Sequence, residues 1–207
     1  MSSHAINPNR SSSKKMIGWI TKVALLAAIA FILMLFEFPL PIAPAFYKLG
    51  FDEVAVMIAG FALGPMAAVA TEALKILLNL MFNGTTTAGV GELMNFLIGL
   101  SYVLPAAIYY RYHHDRKGAY IALLIGTVSL TVMGALLNYF IAIPMYSFFY
   151  GMPVQAIIDM GTVINPAVTN TMTFCIFCVA PFNLIKGVVS SLIVALIYKR
   201  ISVLLNK

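Results

Sequence analysis

The sequence predicts an all-α integral membrane protein with six transmembrane helices and both termini in the cytoplasm. The 207 residues are 61% hydrophobic and only 10% charged, with a mean hydropathy of +0.94, whereas soluble domains carry about 25% charged residues. Apolar segments long enough to enter a membrane recur along the chain, separated by Pro, Gly or basic residues. Most of the basic residues fall in segments that an even number of spans places on one side.

The N-terminal region combines a polar tail with the first predicted span. Residues 1–16, MSSHAINPNRSSSKKM, are Ser-rich and basic, so we expect a disordered cytoplasmic tail followed by one membrane domain at residues 17–207. The first apolar segment, about Ile17 to Glu37, exceeds the about 7–15 residues of a signal-peptide core. Its Ala24 and Ala28 form a small-xxx-small pair that lets another helix approach closely. Packing within the chain and contact with a partner explain this pair equally well.

A Pro-rich, aromatic segment, FPLPIAPAFYKLGFDE, follows the first span. Pro39, Pro41 and Pro44 exclude a continuous helix, so we expect an extracellular loop between the first and second helices. Its apolar side chains fit a lid over a pocket. They fit equally well a loop packed at the membrane interface, with Phe46 and Tyr47 as anchors.

Five further spans complete the predicted bundle. They are about Phe51–Leu63, Pro65–Phe82, Val90–Tyr112, Ala119–Ile143 and Pro181–Leu205. Gly64-Pro65 separates the first two of these, and Pro144 is expected to end the fourth. Residues 144–180 are mixed, with Asp159 and Gly161 as expected helix breakers. The CxxC region near residue 175 is interpreted as too polar and too short for a seventh span.

Several candidate chemical sites are set aside. Glu72 and Lys75 lie one helical turn apart, and an ion pair explains two charges inside the membrane better than a ligand contact. The loop NGTTTAGVG lacks the GK[ST] of a phosphate loop, so no ATP site is expected. Cys175 and Cys178 lie in apolar surroundings without further ligands, and a pair of small buried residues is the simpler interpretation. No metal site is expected.

The distribution of basic residues sets the predicted orientation. With six spans, ten of the 13 Lys and Arg face the cytoplasm: Arg10, Lys14, Lys15, Lys22, Arg111, Arg116, Lys117, Lys199, Arg200 and Lys207. Lys48 alone lies outside, while Lys75 and Lys186 lie within spans. This is the positive-inside pattern, and it explains the net charge of +6 without nucleic acid as a partner.

Polar residues of three long helices are predicted to meet beneath the Pro-rich loop. Asn95, Asn138 and Lys186 each lie about five residues from the outer end of their span, which is roughly 8 Å of depth. Asn183 shares a helix face with Lys186 in APFNLIKG, where Pro181 is expected in the first turn. A lysine inside a membrane calls for a partner or a ligand. An isolated asparagine is more often a helix–helix contact, but their common depth favours a binding site for a heterocycle with alternating carbonyl and N–H groups.

The chain resembles the riboflavin-specific substrate-binding components (RibU type) of energy-coupling factor (ECF) transporters. The resemblance runs from about Lys22 to Lys199 and rests on KLGFDEV, GFALGPMAAVATEALKILLN, GVGELMNFLIG, LLNYFIAIPMY and APFNLIKG. It implies a six-helix protein of the plasma membrane that is not an enzyme and captures riboflavin from outside, as transported ligand rather than cofactor. It also implies a complex with a transmembrane coupling subunit and two cytoplasmic ATPase subunits.

The resemblance also implies roles for particular residues. By position, the polar edge of the isoalloxazine ring is held by Asn138, Asn183 and Lys186. The pocket is completed by Asn95, Leu49, Phe51, Asp52 and Glu53, and the coupling subunit is met by Ala24 and Ala28. The loop departs from the usual LDFSD of the family by reading LGFDE, with Gly50 at an acidic position. Asp52 and Glu53 are available to compensate.

Three alternatives accompany this reading. The same scaffold could hold another vitamin or heterocycle. An intramembrane enzyme would need a motif such as HExxH, paired aspartates or a Ser with a His partner; the chain has no HExxH, and the predicted spans contain no aspartate pair and no histidine. A scaffold protein that uses only the Ala24/Ala28 surface would leave the cost of burying Lys186 unexplained.

Overall fold

The computed structural model describes residues 8–205, and helices account for most of that range. The elements are α1 (Pro8–Met34), β1 (Phe38–Pro39), β2 (Lys48–Leu49), α2 (Asp52–Leu63), α3 (Pro65–Asn83), α4 (Val90–Tyr112), α5 (Arg116–Leu137), a π-helical turn (Asn138–Ala142), α6 (Ile143–Tyr150), α7 (Val154–Ile164), α8 (Thr171–Phe174), a second π-helical turn (Cys175–Val179) and α9 (Ala180–Leu205). The two short strands pair antiparallel. The predicted all-α class is confirmed.

Five helices within the described residues are long and apolar enough to cross a membrane. They cover Ser13–Met34, Pro65–Asn83, Val90–Tyr112, Arg116–Tyr150 and Thr171–Tyr198. Many Leu, Ile, Val and Phe side chains on their outer faces are exposed, as expected for surfaces that lie against lipid. The number of six spans and the cytoplasmic location of both termini stay predictions.

The remaining predicted span, α2, is a short helix at the centre of the bundle. Its 12 residues extend about 18 Å, less than the about 30 Å of a bilayer core. Ten of them, Asp52 to Phe61, are buried, because α1, α3, α4 and α9 all pack against it. A Cβ on Gly60 would lie only 2.9 Å from that of Ala107 and 3.2 Å from that of Ala68. Small residues therefore let the neighbouring backbones approach closely.

The fifth span does not end at Pro144 as predicted, because a π-helical turn keeps the helix continuous. Helices α5 and α6 form one helix from Arg116 to Tyr150, so Pro144 does not end it. A proline lacks an N–H and clashes with the carbonyl four residues earlier. The wider turn at Asn138–Ala142 ends two residues before Pro144, includes the residue four positions before it, and can absorb this conflict without ending the helix.

The last span begins earlier than predicted, because a second π-helical turn joins α8 to α9. Asn170 caps the helix, with its side chain accepting from the Thr173 N–H, and the helix then continues through Cys175–Val179 into α9. Pro181 therefore lies within the helix, not in its first turn. The two free, buried cysteines belong to the last span, neither to a separate seventh span nor to a polar connection.

Two other boundaries differ from the predictions. Asp159 and Gly161 lie inside α7 and do not break it; Gly161 leaves room for the ring of Phe174, which a Cβ there would meet at 2.6 Å. Helix α1 begins at Pro8, so residues 8–16 are helical where a disordered tail is predicted. The part of that prediction that concerns residues 1–7 lies outside the described residues.

Candidate ligand-binding cavity

The segment between α1 and α2 is a non-helical loop, as its prolines predict. Strands β1 and β2 close it into a small ribbon in which Phe38 pairs with Leu49 and Pro39 with Lys48. The Lys48 ammonium lies 2.9 Å from Glu37 Oε1, an exposed ion pair next to the ribbon. The loop therefore has a defined shape and presents Phe46, Tyr47 and Lys48 to the space beside it.

A cavity of about 760 Å³ lies between this loop and helices α3, α4, α6, α7 and α9. Its volume falls within the about 300–1,000 Å³ of small-molecule sites. The four polar residues predicted to meet, Asn95, Asn138, Asn183 and Lys186, all line it. The structure thus brings them together, and their role in binding a ligand stays a prediction.

The α9 side of the cavity carries two donors for which the described residues supply no direct partner. Asn183 is 3% and Lys186 7% exposed. The Asn183 Nδ2 group makes no hydrogen bond to any described residue, and Gly134 of α5 makes room for it, since a Cβ there would collide with this amide. None of the ion pairs and hydrogen bonds among the described residues involves the Lys186 ammonium. Buried donors of this kind are costly unless something satisfies them.

Asn138, the first residue of the π-helical turn, is already hydrogen-bonded. Its Oδ1 accepts from the Tyr47 hydroxyl at 2.6 Å, and its Nδ2 donates to the Gly134 carbonyl at 2.8 Å. Desolvation raises the pKa of the Tyr47 phenol well above its usual value, so Tyr47 stays protonated and donates. Asn138 therefore attaches the loop to the helix that carries it, a link that the sequence does not reveal.

Aromatic rings form a wall beside these donors. The ring centres of Tyr47 and Phe182 are 5.5 Å apart, those of Phe46 and Tyr47 are 4.7 Å apart, and those of Phe46 and Tyr146 are 6.4 Å apart. All four residues line the cavity. Such rings offer flat apolar surfaces to a planar ligand. The stacking role suggested for Phe46 and Tyr47 fits this placement.

The α3–α4 side of the cavity is also polar. It is lined by Asn79, Asn83, Thr86, Thr87, Glu92 and Asn95. The Thr85 and Thr87 hydroxyls each donate to Glu92 Oε2 at 3.0 Å. Asn95 is the member of this set that sequence reasoning predicted. Glu92 and Asn95 lie one turn apart at the start of α4, a spacing from which Glu92 could have been predicted too.

The residues predicted at the end of the loop do not line the cavity. Leu49 is buried at 5% exposure, and the Phe51 ring packs 6.3 Å from that of Phe38. Asp52 and Glu53 begin α2 and are buried against Lys75 instead. This differs from the expectation that the four residues complete the pocket.

Lys75 is the centre of a buried charge cluster. Its ammonium lies 2.7 Å from Asp52 Oδ2, 3.0 Å from Glu53 Oε1 and 2.8 Å from Glu72 Oε2. The Glu72–Lys75 pair confirms the prediction, whereas the two α2 carboxylates come from a different helix and are not predictable from helical spacing. Gly99 of α4 makes room for the cluster, because a Cβ there would collide with the Glu72 and Glu53 carboxylates.

The predicted partner surface of α1 is partly accessible. Ala24 is exposed and Ala28 half-buried, whereas the adjacent Ala27 is buried in the bundle. Ala27 thus serves packing within the chain, and the Ala24/Ala28 pair faces outward. Contact of this surface with another protein stays a prediction.

Comparisons with known proteins give one consistent family. The profile described as "ECF transporter, substrate-specific component" matches residues 18–198. The chain is 33% identical to "Riboflavin transporter FmnP" of Bacillus subtilis (strain 168) over 177 residues, covering 85% of this chain and 87% of that protein. It is 32% identical to "Riboflavin transporter RibU" of Staphylococcus aureus (strain TCH60) over 199 residues, covering 96% of each chain.

A solved structure gives the same answer for the fold. It is described as "Structure and mechanism of the S component of a bacterial ECF transporter" and matches with a TM-score of 0.70 at 31% identity. The match covers 91% of this chain and 98% of that one.

Proposed function

Because the chain belongs to the family of ECF transporter substrate-specific components, we propose that it captures riboflavin at the outer face of the plasma membrane. The two relatives described above are named riboflavin transporters and are at least 32% identical to it over most of their length. The family consists of transporter components, not enzymes. Riboflavin is then the transported ligand.

The pair of unpartnered donors on α9 is the observation that carries the proposal. The pyrimidine edge of the isoalloxazine ring presents two carbonyl oxygens on either side of an N–H. The Asn183 Nδ2 has no hydrogen-bond acceptor among the described residues, the Lys186 ammonium at the same cavity wall has no ion pair or hydrogen bond with them, and carbonyl oxygens would satisfy both. The rings of Tyr47 and Phe182 supply the flat apolar walls that a tricyclic ligand needs. Asn138 contributes by holding Tyr47 in place.

The energy for uptake comes, in this proposal, from other subunits. A transmembrane coupling subunit would bind the outward-facing Ala24/Ala28 surface of α1, where small residues allow a close helix–helix approach. Two cytoplasmic ATPase subunits would drive the cycle, consistent with the lack of a phosphate-loop motif in this chain. Membership of a family of ECF transporter components supports such an assembly.

Titration of purified protein in detergent against riboflavin fluorescence tests the proposal. We expect saturable quenching by the wild type and its loss in Asn183→Ala/Lys186→Ala, because both ring-binding donors are then removed. Lys117→Ala, an exposed lysine at the start of α5, is the control and should quench like the wild type. A folded wild-type sample that leaves riboflavin fluorescence unchanged would contradict the proposal, and a screen of other heterocycles would follow.

A further inference from the structure

The loop between α3 and α4 is built to hold one carboxylate at the cavity. Glu92 Oε2 accepts from the hydroxyls of Thr85 and Thr87. Those hydroxyl oxygens in turn accept from backbone groups, Thr85 from Gly89 N–H and Thr87 from Gly91 N–H, each at 2.9 Å. Both threonines are therefore oriented to donate to Glu92. Among the described residues none donates a hydrogen bond to the other oxygen, Glu92 Oε1.

Glu92 also forms no ion pair with any of the described residues. Four charged residues line the cavity: Glu37, Lys48, Glu92 and Lys186. Glu37 and Lys48 pair with each other at 2.9 Å. Of these four, Glu92 and Lys186 are left without an ion pair among the described residues, and they lie on different helices. Lys186 is on α9, which packs against α2 and α5, whereas Glu92 is on α4 next to α3.

The two polar sides suit different parts of a flavin. The aromatic wall of Tyr47, Phe182 and Phe46 lies with the α9 donors, so the flat ring belongs there. The α3–α4 side presents amides and hydroxyls together with the Glu92 carboxylate, a set that both donates to and accepts from hydroxyl groups. The ribityl chain, a flexible polyol, fits this side. Its terminal hydroxyl is the group that carries the phosphate in riboflavin 5′-phosphate.

We propose that Glu92 is a specificity residue that makes the cavity prefer riboflavin to riboflavin 5′-phosphate. This inference rests on the proposed function, because it requires a flavin in the cavity. A phosphate at the end of the ribityl chain would bring up to two negative charges to a carboxylate that two threonines hold in place and that has no ion pair among the described residues. The neutral hydroxyl of riboflavin meets no such repulsion. Selectivity then comes from an element that repels the wrong ligand.

A charge series at position 92 tests this inference. The dissociation constants of riboflavin and riboflavin 5′-phosphate are measured by fluorescence quenching for the wild type, Glu92→Gln and Glu92→Lys. The readout is the ratio of the two constants, phosphate ester over riboflavin. We expect this ratio to fall about tenfold or more in Glu92→Gln, which keeps an acceptor for both threonines, and to fall further in Glu92→Lys. Asp159→Asn removes an exposed carboxylate of α7 that does not line the cavity and should leave the ratio unchanged.

The outcomes separate this inference from the proposed function. Riboflavin binding by the wild type with the same ratio in all three charge states would overturn the role of Glu92 alone. Equal affinity of the wild type for the two flavins would overturn it as well. A wild type that binds neither flavin would overturn the proposed function and the inference together.

Discussion

Two lysines are buried among the residues whose burial the structure describes, and their surroundings are opposite. Lys75 of α3 is fully buried against the start of α2 and has three carboxylates within 3.0 Å. Lys186 is 7% exposed, lines the cavity and has no ion pair among the described residues. Three carboxylates contact the first lysine directly, whereas Asp52 attracts the second only from beyond ion-pair distance, so the Lys186 ammonium still has donors for a ligand. A buried charge is evidence of a ligand only when its partners within the protein are missing.

The largest effect is expected from removing the satisfied lysine. Lys75→Met leaves three carboxylates in the bundle without a cation, and breaking a buried pair costs about 3–5 kcal/mol. We expect a large loss of thermal stability in detergent, with little protein recovered in monodisperse form. Lys48→Met, which breaks the exposed pair with Glu37, is the control and should cost at most about 1 kcal/mol. A stable Lys75→Met protein would show that the cluster is not structural.

A smaller effect, confined to ligand binding, is expected from the unsatisfied lysine. Lys186→Ala removes a charged donor to a flavin carbonyl, a contact worth about 1.5–3 kcal/mol. Riboflavin affinity measured by fluorescence quenching should therefore fall by more than 1 kcal/mol, while the elution profile of the protein stays that of the wild type. Unchanged affinity would remove Lys186 from the site.

The hydrogen bond between Tyr47 of the loop and Asn138 of the helix should contribute less to riboflavin binding than Lys186 does. Tyr47→Phe keeps the ring against Phe182 and deletes the hydroxyl that donates to Asn138 Oδ1. One hydrogen bond is worth about 0.5–1.5 kcal/mol, so riboflavin should dissociate a few-fold faster in stopped-flow measurements. Tyr112→Phe, at an exposed tyrosine, gives the baseline. Dissociation at the wild-type rate would mean that this hydrogen bond does not restrain the loop.

A substitution on the α1 surface should have the smallest effect on riboflavin affinity and on thermal stability. Ala28→Leu should change neither riboflavin affinity nor thermal stability by more than about 0.5 kcal/mol, since Ala28 does not line the cavity and is only half-buried. It should nevertheless block assembly, because a larger side chain keeps the coupling subunit at a distance. Co-purification with the other subunits measures this, with Val128→Leu on the lipid-exposed face of α5 as control. Normal recovery of the complex with Ala28→Leu would refute the predicted interface.

The sequence predicts the surroundings of Lys186 better than the surroundings of Lys75. Asn183 and Lys186 are three residues apart on one helix, so local spacing is enough to place them on one face. The partners of Lys75 are only partly predictable: Glu72 is one turn away, but Asp52 and Glu53 reach the lysine by packing of α2 on α3. Tertiary contacts of this kind leave no periodic signal.

The helix boundaries near the site could not be predicted for a different reason. A proline inside an apolar segment normally ends or begins a helix, and both Pro144 and Pro181 favour that interpretation. The π-helical turns before them keep each helix continuous and are not encoded by a recognisable residue pattern. Turns of this kind are frequent at functional sites, and here they occur in the two helices that carry Asn138 and Asn183.

Thermal unfolding of the wild type and Lys186→Ala, with and without riboflavin, tests the central claim most directly. If Lys186 has no direct partner in the fold, its removal should not lower the midpoint of the ligand-free protein, because no ion pair or hydrogen bond among the described residues is lost. Riboflavin should then raise the midpoint of the wild type far more than that of the variant. A ligand-free Lys186→Ala protein that melts well below the wild type, with an equal shift by riboflavin, would contradict the account: Lys186 would be a structural residue like Lys75.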